Sequence, residues 1–186
     1  GMMGRSPDFM NVSYAAWAAA ADFFAQNRPE FGDHVRRYYE YIRENDLTLT
    51  HSLINLQRSR NIAGTFNLSD DTALRVVRET DAGIVVRGAK AHTSVSTNAN
   101  EIIVLPTRAL ADADRDYAVS FAVPANAPGL TLLASAFDSA AATGSPVEHP
   151  ISARHKMMET TTVFDNVFVP WDRVFLAGES AFAGPL

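Results

Sequence analysis

The 186-residue chain contains no cysteine. That absence excludes disulfides, thiolate nucleophiles, cysteine zinc sites and cysteine-held iron–sulfur clusters within it. It also lacks any apolar run of the roughly 18–20 residues that a membrane-spanning helix needs. Basic clusters are missing and the net charge is -5, which argues against a nucleic-acid partner. No basic stretch followed by an apolar one opens the chain, so a cytoplasmic location is expected. The phosphate-binding loop G-x-x-x-x-G-K-[ST], the dinucleotide fingerprint G-x-G-x-x-G after a strand, H-E-x-x-H and G-x-S-x-G are all absent. His34, His51, His92, His149 and His155 stand without metal-ligand spacing, and no metal is expected.

What is present is a chain able to form a core, with 47% hydrophobic and 20% charged residues. Residues 12–45 read as helix. "NVSYAAWAAAADFFAQN" is alanine-rich, with Asn11 placed to cap it. In "RPEFGDHVRRYYEYIREND", Val35, Tyr38, Tyr39 and Ile42 recur every three or four residues and make one apolar face. That face, with Phe23 or Phe24, has no obvious partner nearby in sequence, so self-association through it is expected. From Leu47 the period shortens towards two. "LTLTHSLIN", "LRVVRE", "GIVVRGAK", "EIIVLPT", "YAVSFAVP", "LTLLAS" and "VFDNVFVPWDRVFL" are strand-like, with turn residues between them. Many short strands over residues 47–178 predict an antiparallel β-barrel or sandwich.

Three polar features stand out by position. Arg5 sits in the Ser-Pro-Asp turn of "GRSPDF", where it can present a fixed cationic fork or lie on open surface. His51 interrupts an alternating strand on the same side as Leu47, Leu49 and Leu53, the side expected to be buried. There it is either an ordinary core histidine or a neutral proton acceptor at a pocket wall. The stretch "GAKAHTSVSTNANE" places Thr93, Ser94, Ser96 and Thr97 in an expected polar connection between strands.

Taken together, "GRSPDFMN", "THSLINLQRSR", "GIVVRGAK", "ANEIIVLPT", "FAVPANAPGL", "EHPISAR" and "FDNVFVPWDRVFLAGE" resemble, in order and spacing, the 4-hydroxyphenylacetate 3-hydroxylase family over nearly the whole chain. These are oxygenase components of two-component, reduced-flavin-dependent aromatic monooxygenases. The resemblance implies an α+β, acyl-CoA-dehydrogenase-like fold. Residues 1–46 would be the end of a helical N-terminal domain, 47–178 the middle antiparallel β-barrel domain and 179–186 a tail, with the C-terminal helical bundle absent.

The resemblance further implies FAD as cofactor, delivered as FADH2 by a separate flavin reductase, and ortho-hydroxylation of a phenol such as 4-hydroxyphenylacetate with O2 through a C4a-hydroperoxyflavin. A homo-oligomer is expected. Arg5 and His51 match the family's catalytic arginine and histidine, and both would also touch substrate. Phe9 stands where the family has a phenolic tyrosine, and Thr107 falls beside a substrate-contacting pair. His51, Ser52, Leu53, Gly64, Thr65, Phe66, Asn67 and either Thr93 or Ser94 match flavin-contacting positions. The alternatives are a 4-hydroxybutyryl-CoA dehydratase or vinylacetyl-CoA isomerase, to which "GAKAH" leans, or an inactive fragment or subunit of a split enzyme. Those dehydratases hold an iron–sulfur cluster partly through cysteines in the helical region, where this chain has none.

Overall fold

Pro29 sets the start of the longest helix, because its fixed φ suits the first turn and its missing N–H is one that no helix start needs. In this computed structural model, which describes residues 8–56, 72–106, 110–134, 147, 150 and 158–185, that helix is α3, Pro29–Glu44. It follows α1, Phe9–Ala19, and the short α2, Ala21–Ala25. Asn11 does not cap α1, which begins two residues earlier. Its side chain instead donates to the Leu47 carbonyl at 2.7 Å and accepts from the Leu49 N–H at 3.1 Å, tying α1 to the first strand.

The described strands form two sheets. The first runs β1 (Leu49–Ser52), β5 (Glu101–Val104), β6 (Val119–Pro124), β9 (Val174–Ala177), with β1 parallel to β5 and the other pairs antiparallel. The second runs β2 (Ile54–Asn55), β4 (Gly83–Ser94), β8 (Glu159–Pro170), β7 (Leu130–Ala134). The strand β3 (Arg75–Thr80) also pairs with β4.

Side-chain alternation stacks these elements into three layers. On the first sheet, Glu101 accepts a hydrogen bond from Tyr38 of α3, and the Phe175 ring lies 5.6 Å from Tyr14 and 5.5 Å from Tyr38. That face meets the helices. On the opposite face the Phe121 ring lies 5.9 Å from Phe164 of β8, so it meets the second sheet. The first sheet is therefore buried on both sides, and every residue of β5 and β9 is buried. Helices and strands share one core that includes Phe31, Val35, Ile103, Phe121 and Phe164.

Two expectations change here. The apolar face of α3 is covered mostly from within the chain, with Tyr39 and Phe23 left half-buried. Val35, Tyr38 and Ile42, with Phe24, are at most 3% exposed because the first sheet covers them. Burying an aliphatic side chain of that size stabilises by about 1.5–3 kcal/mol, so the helices are held by this chain's own strands. The second change concerns the barrel. Among the described residues no backbone ladder joins the two sheets, so the described strands do not close one. Side chains bridge the gap instead.

Irregularities in β4 and β8 set which side chains face that gap. Between Lys90 and Thr93, two residues of β4 oppose one of β8, and His92 takes φ 56°. This bulge turns Thr93 to the same side as Lys90. At Gly88, φ is 130° and an added Cβ would lie 2.5 Å from the Ala73 carbonyl oxygen, so only glycine allows the close approach of residues 72–74 to β4.

Candidate functional site

The two sheets meet at a polar seam between β1 and β4. Thr50 and Ser52 leave β1 on the side of the second sheet. The Thr50 hydroxyl donates to the Ser94 carbonyl at 2.5 Å, and Ser52 Oγ lies 2.8 Å from Thr93 Oγ1. Thr162 of β8 donates to the same Thr93 oxygen at 2.9 Å. Below them Ser96 and Thr160 pair at 2.6 Å, and Thr160 reaches the Thr93 carbonyl at 3.3 Å. Ser52, Thr93, Ser96 and Thr162 are each 0% exposed. Buried hydroxyls of this kind need partners, and here they partner one another across the layers.

Lys90 lies in the same seam, 3% exposed. Its Nζ donates to the Leu53 carbonyl at 2.9 Å and the Leu105 carbonyl at 2.9 Å. Burial lowers its pKa from the usual 10.5 to about 7, because a charged ammonium is poorly solvated there. Sequence reasoning missed this residue. Its signal was a lysine inside "GIVVRGAKAHT", a segment otherwise apolar enough to be buried.

His51 takes the other face of β1. It pairs in register with Ile103, next to Leu49 paired with Glu101, and Glu101 points to the helices. His51 is therefore on the helix side of an edge strand, half-buried, while Ser52 beside it is fully buried. The leucine-side reading placed His51 on the buried face. In the structure both faces of β1 are covered, and the more deeply buried side chains next to His51 are Thr50 and Ser52.

The sequence-predicted residues thus fall into two groups. Ser52 and Thr93 belong to the inter-sheet seam, with their hydroxyls engaged. His51 lies on the other side of β1, and half-buried Leu53 follows the end of that strand. Of the pair Thr93 and Ser94, Ser94 is the one still partly accessible, and its hydroxyl donates to Glu159 Oε1 at 2.5 Å. Strand β4 runs through Ser94, so the expected polar connection begins later, at Val95. Val95 has φ 58°, a left-handed conformation that costs a β-branched residue about 1–3 kcal/mol. Its N–H is fixed to the Met158 carbonyl at 2.7 Å.

Phe9 opens α1 on the helix side and is 47% exposed. A shallow groove of about 560 Å³ lies beside it, between α1, α3 and the turn into β1, lined by Asp8, Asn11, Val12, Tyr39, Arg43 and Asp46 among others. Arg5, Gly64, Thr65, Phe66, Asn67 and Thr107 lie outside the described residues. Among the described residues no group of histidine, aspartate and glutamate is arranged to hold a metal, and no helix is long and apolar enough to cross a membrane.

Comparison with known proteins bears on this arrangement. The profile of the family described as "4-hydroxyphenylacetate 3-hydroxylase N terminal" matches residues 1–176. The 4-hydroxyphenylacetate 3-monooxygenase oxygenase component of Thermus thermophilus is 40% identical over 178 residues, 96% of this chain and 36% of its own. The 4-hydroxybutyryl-CoA dehydratase/vinylacetyl-CoA-Delta-isomerase of Clostridium aminobutyricum is 41% identical over 180 residues, 94% of this chain and 36% of its own. A crystal structure of the oxygenase component of 4-hydroxyphenylacetate 3-monooxygenase complexed with FAD superposes with a TM-score of 0.80 at 39% identity, covering 98% of this chain and 36% of that one. The chain therefore spans just over a third of the length of these relatives. Glutaryl-coenzyme A dehydrogenase, 12% identical with a TM-score of 0.50, shares the fold alone.

Proposed function

Since the chain belongs to the 4-hydroxyphenylacetate 3-hydroxylase N-terminal family, we propose that it forms the helix-and-strand part of a reduced-flavin-dependent oxygenase that hydroxylates a phenol ortho to its hydroxyl. The observation that carries this reading is His51. It is a half-buried imidazole on an edge strand, facing the helix layer. The neighbouring Ser52 is locked in the seam at 2.8 Å from Thr93, which holds the histidine's backbone in one register.

Reduced FAD fits the described residues. The Ser94 hydroxyl and the His51 imidazole suit the polar edge of a flavin, and Leu53 suits its apolar face. When bound, the flavin supplies the activation of O2. His51, Leu53 and Ser94 would hold it, with Gly64, Thr65, Phe66 and Asn67, while Ser52 and Thr93 serve through the seam. In this reading His51 accepts the phenol proton at an imidazole nitrogen, which raises electron density at the ring carbon to be hydroxylated. Arg5 supplies a fixed positive charge, and Phe9 and Thr107 border the phenol. The covered face of β1 keeps bulk water from the imidazole. A separate reductase delivers the reduced flavin, and a C-terminal helical bundle completes the site in the whole oxygenase.

The test is anaerobic titration of the 186-residue chain with chemically reduced FAD, followed by 4-hydroxyphenylacetate. Binding of reduced FAD that weakens in His51→Ala supports the reading, and an affinity for reduced FAD that His51→Ala leaves unmoved sinks it. The 41% identity to the Clostridium enzyme favours a second reading, an acyl-CoA dehydratase or isomerase. Preference for 4-hydroxybutyryl-CoA over 4-hydroxyphenylacetate in the same titration would select it.

A further inference from the structure

Lys90 is the one buried lysine among the described residues, and the seam alone does not account for it. Its carbon chain starts from β4 in the second sheet. Its amine ends on two carbonyls that belong to the first sheet's strand ends. Leu53 is the residue by which the chain passes from β1 to β2, and Leu105 is the residue after β5. Leu105 in turn donates its N–H to the Ser52 carbonyl at 3.0 Å. The Ser52 and Leu53 carbonyls are thus held in succession, one by Leu105 and the next by Lys90. Directly before them stands His51.

We propose that Lys90 is a positioning residue for the His51–Leu53 segment, fixing the His51 imidazole and the Leu53 side chain where a reduced flavin and its phenolic substrate would meet. This rests on the flavin-dependent reading of the site.

Three features favour this over a merely structural lysine. Any long apolar side chain would fill the same volume without the cost of burying an amine. The two acceptors lie where β1 leaves the first sheet, one residue before β2 begins its two-residue ladder with β4, Ile54 opposite Ala91 and Asn55 opposite Lys90 itself. The latch also survives loss of the proton. Burial brings the pKa to about 7, and a neutral amine keeps two N–H groups, one for each carbonyl.

The absence of cysteine from the chain provides a clean experiment. Lys90→Met keeps the unbranched apolar body of the side chain and removes the donors. Lys90→Cys, modified under denaturing conditions and refolded, gives either an aminoethyl side chain, which restores the amine, or an S-propyl side chain of the same length without it. Two readouts are followed in each protein: the His51 ring resonances by NMR, with His34 as internal control, and affinity for chemically reduced FAD.

The expected result is that the methionine and S-propyl forms show shifted or broadened His51 resonances, unchanged His34 resonances and about tenfold weaker reduced FAD binding, the scale of one or two lost hydrogen bonds. The aminoethyl form recovers both. An unmoved His51 in the methionine or S-propyl form overturns the proposal, as does failure of the aminoethyl form to recover where the S-propyl form folds. If the unmodified chain binds no reduced FAD, the His51 resonances alone decide whether Lys90 positions that histidine. If the methionine form does not fold, the two modified cysteine forms carry the comparison.

Discussion

Ser52 Oγ and Thr93 Oγ1 stand 2.8 Å apart across two sheets that share no backbone ladder among the described residues. Thr93 also accepts from Thr162, so one hydroxyl serves three strands. Replacing it with the isosteric Thr93→Val leaves the Ser52 and Thr162 hydroxyls buried without that partner, which costs about 1–3 kcal/mol. Ser94→Ala removes a half-buried hydroxyl and is expected to cost less than about 1 kcal/mol, while weakening reduced FAD binding. Urea denaturation of both variants, alongside flavin titration, separates the roles. Equal stability losses would place Ser94 in the seam with Thr93.

Lys90 makes stability depend on pH in a defined direction. Its folded pKa is about 7, below the ordinary 10.5 of the unfolded chain. Below pH 7 both states bind the proton, and the burial cost of the ammonium is fully present. Between pH 7 and about 10 the unfolded chain holds more protons than the folded one, so stability rises with pH. The slope approaches about 1.4 kcal/mol per pH unit in that window. Subtracting the curve of Lys90→Met cancels the other titrating groups. A difference that stays flat from pH 6 to about 10 would mean that the lysine is not desolvated as its position requires.

Arg173 and Glu101 join the helix layer to the first sheet. Arg173 Nη1 lies 2.6 Å from Glu101 Oε2, and its guanidinium carbon sits 4.9 Å from the Tyr41 ring centre. Burial pushes the Glu101 carboxyl up, while Arg173 and the Tyr38 hydroxyl pull it down. Arg173→Met strips the carboxylate of its counter-charge and is expected to cost about 3–5 kcal/mol near neutral pH. The loss should shrink in acid, because a protonated Glu101 no longer needs the arginine. Thermal denaturation at pH 7 and pH 4 checks both parts. A loss that is the same at both values would assign the effect to packing on Tyr41.

The helices were legible because Val35, Tyr38 and Ile42 repeat at helical spacing, and the strands because β-branched residues cluster between turn signals. The orientation of β1 was not legible. Alternation says which residues share a face, and it identifies the buried face only when the other face meets water. Here the first sheet lies between helices and a second sheet, so Leu49 is buried on one side and Thr50 and Ser52 on the other. The cover for the α3 face was hidden for a related reason. It comes from Phe175 and its neighbours, far along the chain, and no local pattern reports so distant a contact. Lys90 was overlooked because lysine is ordinarily a surface residue, and only the three-layer arrangement makes an interior one visible.

Phe9 provides the most direct chemical test of the substrate side. It stands where the resemblance calls for a phenolic tyrosine, at the first turn of α1, with 47% of its surface exposed. A hydroxyl added there reaches solvent rather than the core, so Phe9→Tyr should change stability by no more than about 0.5 kcal/mol. If the ring borders the phenol site, the new hydroxyl gains a hydrogen bond to the bound phenol worth about 0.5–1.5 kcal/mol, or roughly 2–12-fold in affinity. Calorimetric titration with 4-hydroxyphenylacetate, in the presence of reduced FAD, measures it. Combining the change with His51→Ala sharpens the test. Two groups that touch one ligand couple by at least about 0.5 kcal/mol in a double-mutant cycle, whereas distant groups add independently. Coupling would place Phe9 and His51 on one substrate, on the helix side of β1. Additive effects, with affinity unmoved by the tyrosine, would take Phe9 out of the site and leave His51 to be judged by flavin binding alone.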